Sequence, residues 1–519
     1  MMLPKIPINS GAAKLTLDAF GGLDRRPGAG NGAIRAMVNL TGANAPVLSS
    51  RPKRKTVAAA TKPHGIFSAG RLFTVNGTVL SVSGMAASYA VADSDKVFAA
   101  LGERVIIFPD KKLWTASDGL QALEATATAS CTFANGTYAG EPAEGNTILA
   151  PSGFNWSQYF KVGDAVTISG AADADNNKTP IVREISGNEL RFFENTFVVN
   201  STARSITVKR AAPDMDYLCS IDNRVWGCKG DAIFCCKLGD PFNWNVFDGL
   251  STDAWSVETG TPGSFTGCVS FMGYPVFFKD DRVFKVYGNR PQNFELMGSA
   301  TLGVLDGAAK TLAVAGETLF YLSKAGFVRY SGGYPSAVDA ALNAKYSGGA
   351  AGSDGRKYYV SALREDGARE FLVFDPQTGL WHKEDALAVS GMASVGNMLY
   401  AQTPTANIIV AGAATPDEAD FESSVTFADF DLQTFASKYP VRLWLRMENA
   451  AAVTVKITYN GGALETVLTL PASEKKTSYI PVPIRRCDRF GLQISTTGAW
   501  KLYSMEIETR AESTNRKGG

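Results

Sequence analysis

Apolar and polar residues alternate in short runs along most of the chain, and hardly any segment has the period of a helix. Between residues 214 and 412 a unit recurs, in which an apolar run, a tight turn and a second apolar run follow one another. One copy joins residues 318–322 to 326–330, and another joins 356–360 to 370–375. The repeat length of roughly 35 to 45 residues is the range expected for four-stranded propeller blades. The pattern predicts an all-β chain built on a β-propeller.

Two more units of this kind precede that region, in residues 61–120. In the first, Asn76 and Gly77 stand between two apolar runs. This is a strong hairpin signal, because a type I′ turn needs positive φ at both central positions. The units in 61–120 and 213–412 together predict about seven blades.

Two regions depart from the blade pattern. Residues 121–212 contain strand-like runs that predict a small β-barrel-like domain, inserted into a surface loop where added length costs little entropy. Residues 413–510 contain six or seven short strands with period-two alternation, which predicts a C-terminal β-sandwich. The last residues, 511–519, are polar and predict a disordered tail.

Residues 1–60 are rich in Gly, Pro, Asn and Arg and have little periodicity, which predicts an N-terminal arm. An ordered arm of this length must lie on another surface. That surface is either its own propeller or a neighbouring subunit.

The composition limits the function classes. The 519 residues have a formal net charge of +1, so the molecule as a whole is not an electrostatic nucleic-acid binder. No run reaches the roughly 18 apolar residues needed to cross a bilayer, and no signal peptide is evident. Seven cysteines without a disulfide framework predict reduced, mostly buried thiols made in a reducing cytoplasm.

Motifs for chemistry are scarce, and we predict no catalytic residue, cofactor or metal site. The two histidines, His64 and His382, are far apart in sequence and are interpreted as structural or surface residues. The tightest cysteine cluster, residues 219–236, has no Cys-x-x-Cys pair and is interpreted as core packing. Residues 173–177 lack the following Glu of a calcium loop and predict a polar turn.

Basic residues of the arm form the clearest electrostatic feature. They are either a solvated flexible segment, or a contact with DNA phosphates in a lumen or with an acidic face of another subunit. The candidate contact residues are Arg25, Arg26, Arg35, Arg51, Lys53, Arg54 and Lys55.

Motifs along the whole length carry a resemblance. They are Gly22-Leu23-Asp24-Arg25-Arg26-Pro27, Leu238-Gly239-Asp240-Pro241-Phe242-Asn243-Trp244, Arg442-Leu443-Trp444-Leu445-Arg446 and Tyr479-Ile480-Pro481-Val482. With these motifs the chain resembles phage neck and tail structural proteins, the packaged-DNA stabilisation or tail-hub proteins of short-tailed phages. The resemblance implies a non-enzymatic virion protein that is assembled in the host cytoplasm. Such a protein forms a ring, extends the DNA channel below the portal, stabilises packaged DNA and docks further tail proteins.

The expected partners are other copies of the chain in a closed ring of six, portal or adaptor proteins, distal tail proteins and packaged DNA in non-specific contact. The alternative is a carbohydrate-binding or glycan-hydrolysing propeller protein with the C-terminal sandwich as its binding module. Propeller glycosidases place carboxylate pairs in a central funnel, and Trp226, Trp244 and Trp381 could stack on sugars. A cellular scaffold propeller is disfavoured because the Trp-Asp and Gly-His signatures are missing.

Overall fold

The computed structural model describes residues 12–193 and 196–511. Its regular structure is β-strand apart from short 3-10 turns, which confirms the all-β prediction. These turns are Trp156–Gln158, Ala174–Asn176, Pro291–Asn293 and Ala309–Thr311. Within the described ranges, no helix has the length and apolar character needed to span a bilayer. The predicted tail, apart from the backbone of residue 511, lies outside these ranges.

The predicted arm contributes strands to sheets that are completed much later in the chain. Four of its strands pair with strands beyond residue 400. On β2 the apolar Ile34 and Met37 are both buried, on either side of a register shift in its pairing with β39. The strands are β1 (Ala12–Leu17), β2 (Ile34–Val38), β3 (Leu40–Thr41), β4 (Leu48–Ser50) and β5 (Lys55–Ala59).

Two four-stranded antiparallel sheets follow, and in each of them consecutive strands are hydrogen-bonded neighbours. The hairpin predicted near residue 76 is present. Its central residues are Gly77, at φ 57°, and Thr78, so the turn lies one residue later than the Asn-Gly pair suggests. The strands are β6 (Pro63–Ser68), β7 (Leu72–Asn76), β8 (Val79–Val82), β9 (Ser88–Ala90), β10 (Val97–Leu101), β11 (Arg104–Phe108), β12 (Lys112–Thr115) and β13 (Gly119–Ala122).

A six-stranded sheet occupies residues 125–210, in the strand order β16-β19-β14-β15-β18-β17. The backbone N–H of Val166 donates to the carbonyl of Pro180, and that of Ile168 donates to the carbonyl of Lys178. These hydrogen bonds connect the region of one edge strand, β16, with the residues that precede the other edge strand, β17. Trp156 and Phe160 pack into its apolar core. The strands are β14 (Ala125–Tyr138), β15 (Glu141–Leu149), β16 (Thr167–Ser169), β17 (Val182–Ser186), β18 (Glu189–Phe192) and β19 (Asn200–Arg210).

Two further four-stranded sheets come next, and their facing apolar side chains share one core, which includes Trp226 and Phe277. All seven cysteines of the chain are free thiols, and every one except the partly exposed Cys268 is buried. The strands are β20 (Tyr217–Ile221), β21 (Arg224–Lys229), β22 (Ala232–Cys235), β23 (Trp255–Glu258), β24 (Gly267–Phe271), β25 (Tyr274–Lys279), β26 (Arg282–Tyr287) and β27 (Glu295–Ala300).

Three more four-stranded sheets bring their number in the described chain to seven. The last takes its fourth strand from the beginning of the chain, because β5 pairs with β38. The strands are β28 (Ala313–Ala315), β29 (Thr318–Ser323), β30 (Gly326–Tyr330), β31 (Ser336–Ala337), β32 (Tyr346–Ser353), β33 (Tyr358–Arg364), β34 (Arg369–Asp375), β35 (Leu380–Lys383), β36 (Gly391–Val395), β37 (Met398–Gln402) and β38 (Ala406–Ala411).

The remaining strands form two sheets with strands of the arm. One has the order β3-β4-β45-β40-β43, with β1 also paired to β45, and the other has the order β2-β39-β44-β41-β42. Their buried faces meet where the Trp500 indole donates to the Ser423 hydroxyl. The strands are β39 (Glu422–Phe427), β40 (Lys438–Asn449), β41 (Val453–Tyr459), β42 (Glu465–Leu470), β43 (Ser473–Pro481), β44 (Phe490–Thr497) and β45 (Trp500–Ala511).

The chain divides into two compact units. One spans Lys62 to Ala309, and the other combines the residues up to Thr61 with those from Lys310 onward. The first unit contains four of the four-stranded sheets and the six-stranded sheet of residues 125–210. The second contains the other three four-stranded sheets and the two sheets shared with the arm. The domain boundaries derived from the sequence stay predictions.

Candidate functional site

Two of the predicted contact residues, Arg51 and Arg54, have buried side chains that are 3% and 6% exposed. Arg51 donates twice to Glu418, at 2.7 Å. Arg54 donates to Glu384 at 2.8 Å and to Asp385 at 2.6 Å. Burial by itself lowers the pKa of Arg54, but these two acids outweigh it and raise that pKa. Both guanidinium groups therefore have acidic partners within their own chain, and we call this set the buried charge network.

The other predicted contact residues are more exposed. The ion pairs join Arg25 to Glu370 at 2.6 Å, Arg26 to Asp24 at 2.6 Å and Lys53 to Asp420 at 2.7 Å. Lys55 donates to the Thr415 hydroxyl at 2.6 Å, and Arg35 is exposed on β2. Contact of these residues with DNA or with another subunit stays a prediction.

Glu370 accepts from Arg25, from Lys383 at 3.1 Å and from the Tyr346 hydroxyl at 3.0 Å. Burial would raise the pKa of Glu370, but Arg25 and then Lys383 outweigh it and lower that pKa to about 2. Glu370 is therefore ionised at neutral pH, and all its described partners belong to the fold.

The structure also locates other residues that the sequence singles out. Trp226, Trp244 and Trp381 are buried, so they cannot offer a face to a sugar, which corrects that part of the carbohydrate alternative. His382 is buried as well, and burial with the nearby charge of Lys357 lowers its pKa to about 4. The ring of His64 lies between two carboxylates, Asp93 at 2.8 Å and Asp95 at 3.0 Å. The first strands of the seven four-stranded sheets contain neither Asp nor Glu.

The sheet containing β40 leaves one face exposed beside the arm. Along β40, Leu443, Leu445 and Met447 are buried, so the residues between them point to the opposite side of the sheet. We call this side the exposed sheet face. Its residues include Lys14, Thr16, Arg442, Trp444, Arg446, Glu448, Lys475, Thr477, Tyr479, Lys501, Tyr503, Ser504, Glu506, Glu508 and Arg510.

Two aromatic side chains lie side by side at the centre of this face. Trp444 is directly opposite Tyr479 across β40 and β43, and their ring centroids are 5.9 Å apart at an angle of 50°. Tyr479 is 51% exposed, and the ammonium of Lys14 lies 5.2 Å from the Trp444 ring. Both residues belong to motifs of the sequence, but neither was predicted as a binding residue. The alternation with Leu443 and Leu445 was the signal that Trp444 faces outward.

A third aromatic residue, Tyr503, reaches this face through a β-bulge. Arg446 is opposite Ser504 and Met447 is opposite Leu502, so Tyr503 is left without a cross-strand partner. Bulges re-aim side chains in this way. The Tyr503 hydroxyl donates to Glu448 at 2.9 Å.

Glu448 connects Tyr503 with charged neighbours. Lys501 lies 2.8 Å from its carboxylate, and hydrogen bonds from Lys501 and then Tyr503 lower the pKa of Glu448. The ammonium of Lys475 lies 3.7 Å from the centre of the Tyr503 ring. This end of the face thus combines an ionised acceptor, two ammonium donors and an aromatic ring.

An open cleft of about 910 Å³ borders this end of the exposed sheet face. Asn449 lines the cleft, where its side chain donates to the carbonyls of Ala451 and Pro471 and accepts a hydrogen bond from the Ser473 hydroxyl. The residues that line the cleft are Thr41, Ala43, Asn44, Ser49, Ser50, Arg51, Pro52, Glu448, Asn449, Ala450, Ser473, Glu474, Lys475, Ala499, Trp500 and Lys501. Hydroxyl, amide, carboxylate and ammonium groups in such a cleft can bind a ligand with many hydroxyl groups.

Comparisons with known proteins give structural neighbours only. No family model and no curated protein matches the chain. An exo-beta-1,3-galactanase from Phanerochaete chrysosporium is 11% identical, with a TM-score of 0.21, over 56% of this chain and 94% of its own. A glycoside hydrolase family 43 arabinoxylan arabinofuranohydrolase from Bacillus subtilis is 9% identical, with a TM-score of 0.21, over 86% and 95%. A Bacillus thuringiensis Cry1Da tryptic core variant is 8% identical, with a TM-score of 0.14, over 57% and 50%.

These neighbours correct two predictions made from the sequence. The function predicted first was that of a structural virion protein of a phage neck or tail, and no such protein is among these neighbours. The chain was also predicted not to be an enzyme, whereas several of these neighbours are enzymes. Glycoside hydrolases recur among these neighbours instead. With TM-scores no higher than 0.21, the likeness assigns neither a substrate nor catalytic residues to this chain. The ring of six copies, its portal and tail partners and the virion location stay predictions.

Proposed function

We propose that the chain binds carbohydrate, and that the exposed sheet face with its bordering cleft is the binding surface. The observation that carries the proposal is the aromatic pair of Trp444 and Tyr479, which lies on an exposed strand face and not in a core. Exposed apolar surface rimmed by polar groups marks interaction sites. A sugar ring has an apolar C–H face and a rim of hydroxyl groups, so it can stack on these rings while its hydroxyls reach polar neighbours.

Polar groups for those hydroxyls lie further along the same face, around Tyr503. The ionised Glu448 is an acceptor, whereas Lys501 and Lys475 are donors. The cleft beyond them is large enough for a ligand of several sugar rings, since ligand pockets commonly measure roughly 300–1,000 Å³. We therefore expect a saccharide chain to lie along the face and to enter the cleft at its end.

The architecture we propose is a seven-bladed propeller that carries this binding region. The chain leaves β5, the fourth strand of the last four-stranded sheet, at Ala59 and enters β6, the first strand of the first sheet, at Pro63. A strand shared in this way supports closure of a ring of blades, which removes free sheet edges. In this architecture the sheet of residues 125–210 is a small inserted barrel, and the two sheets shared with the arm are the appended sandwich.

Affinity electrophoresis in gels containing soluble polysaccharides tests the binding proposal. Retardation of the wild-type chain by at least one polysaccharide is expected, and the variants Trp444→Ala and Tyr479→Ala should migrate faster in the same gel. The matched control is Tyr334→Ala, since Tyr334 is 85% exposed and lies far from this face in sequence. The absence of retardation in every gel, or equal loss in Tyr334→Ala, would contradict the proposal.

Release of reducing sugar, measured on the polysaccharides that bind, tests hydrolysis separately. The first strands of the seven sheets contain no carboxylate, so an acid pair for hydrolysis has to come from later strands or from loops. Turnover would extend the proposal from binding to cleavage. Binding without turnover would limit it to recognition.

A further inference from the structure

We infer that the exposed sheet face selects acidic polysaccharides, which carry carboxylate or sulfate groups, over neutral ones. The inference rests on the proposed function and names the class of ligand for the same surface. It follows from which charges on this face have a partner and which do not.

Three acids of the face are each paired with a cation. Lys14 lies 2.8 Å from Glu506, Arg442 lies 3.3 Å from Glu508, and Lys501 lies 2.8 Å from Glu448. The face has no further acid, whereas it has three further cations, Arg446, Lys475 and Arg510. The edge strand β43 adds one charge of each sign next to them, Glu474 and Lys476. The face therefore has an excess of positive charge although the whole chain is nearly neutral.

Arg446 has the central position. It lies between Trp444 and Glu448 on β40, and its cross-strand neighbours are the uncharged Thr477 and Ser504. Its side chain is exposed and forms no ion pair among the residues that the structure describes. A guanidinium group presents a planar pair of N–H donors that matches the oxygens of a carboxylate or sulfate. An anionic group on a sugar stacked over Trp444 would be within reach of these donors.

Lys475 lies at the end of the face that borders the cleft. Its ammonium is held over the Tyr503 ring, and Glu448 already has Lys501 as its direct partner. Arg446 is opposite Thr477, two residues from Lys475 on β43, so the two cations are diagonal neighbours, with backbones about 7–8 Å apart. A polysaccharide that crosses the strands can meet both cations with two charged groups.

The test uses polymers that share a backbone and differ in charge. One pair is polygalacturonate and its methyl ester, and the other is dextran sulfate and dextran. Dissociation constants are measured by isothermal titration calorimetry at 50 and 500 mM NaCl. The wild-type chain should bind at least one acidic polymer about tenfold or more tightly than its neutral counterpart, since hydrogen bonds to charged groups are the stronger ones. The preference should shrink at high salt because exposed charges are screened. The two pairs distinguish carboxylate from sulfate.

The double variant Arg446→Gln/Lys475→Gln should lose the preference, so that it binds the acidic polymer no more tightly than the neutral one. Its matched control is Arg204→Gln/Lys209→Gln, which removes two exposed positive charges from β19 in the other unit and should keep the preference. Equal binding of acidic and neutral polymers by the wild-type chain would overturn this inference and leave the proposed function standing. A preference that persists in the face variant, or is lost in the control, would also overturn it. If no polymer binds, the proposed function fails together with the inference.

Discussion

The buried charge network and the exposed sheet face use similar residues for opposite purposes. Both belong to the unit that contains the arm, and both combine arginine, acidic residues and aromatic rings. In the network, Arg54 lies 5.1 Å from the Phe371 ring and has two acids within hydrogen-bond distance. On the face, Arg446 is exposed between two uncharged neighbours. A cation whose partners belong to the fold contributes to stability, whereas a cation without them is free to meet a ligand.

The first and largest effect should come from breaking the network. Arg54→Ala removes the hydrogen-bonded partner of the buried Glu384 and leaves it only Arg51, at 4.0 Å. Removing one member of a buried ion pair typically costs about 3–5 kcal/mol. Urea unfolding followed by tryptophan fluorescence measures the loss. The double variant Arg54→Ala/Glu384→Gln should recover part of the stability, since the charge that lost this partner is then removed. A loss no larger than that of an exposed pair would contradict the role given to the network.

A second effect should appear in acid. The pKa of Glu370 is about 2 in the folded chain, below its ordinary value of 4.5. Its contribution to stability is thus fully present above about pH 4.5 and is lost as the pH falls towards 2. The difference corresponds to about 3 kcal/mol. Free energies of unfolding at pH 7, 4 and 3 should fall more steeply for the wild-type chain than for Glu370→Gln. Parallel pH profiles would show that Glu370 has no such role.

A third effect should concern affinity and not stability. Trp444→Leu keeps apolar bulk but removes the ring, and we expect it to weaken glycan binding about tenfold, the loss typical of an aromatic anchor. Trp444→Phe keeps a ring and should retain most of the affinity. Calorimetric titration with a polysaccharide that binds the wild-type chain gives both values. Equal affinities of the Leu and Phe variants would mean that stacking is not the source of binding.

The smallest effect should come from the residue next to Arg54. Lys53 is paired with Asp420, but both side chains are substantially exposed. Lys53→Gln should change the free energy of unfolding by less than about 1 kcal/mol, because exposed ion pairs contribute little. Urea unfolding of Lys53→Gln and of Arg54→Ala, measured in parallel, compares the losses of unfolding free energy at two consecutive residues. Similar losses in both variants would remove the distinction between buried and exposed charge.

Local patterns made much of the fold predictable. Period-two alternation revealed the strands, and the same alternation around Leu443 and Leu445 directs Trp444 outward. Long-range partners leave no local signal. Lys14 meets Glu506 at a separation of 492 positions, and Arg51 meets Glu418 at 367. For this reason the sequence predicted an arm and a basic run, but it did not predict which strands pair with the arm or which acidic residues pair with its basic residues.

The pairing of β1, β2, β4 and β5 with strands beyond residue 400 has a consequence for synthesis. The ribosome makes these four strands before β6 to β37, and their partners β38, β39 and β45 emerge only after those strands. Contacts of such high sequence separation slow folding, and strand edges that wait for a partner invite aggregation. A chain that stops before β38 would leave β1, β2 and β5 without these partners and β4 with β3 alone, so a late truncation would also disrupt the sheets that contain the arm.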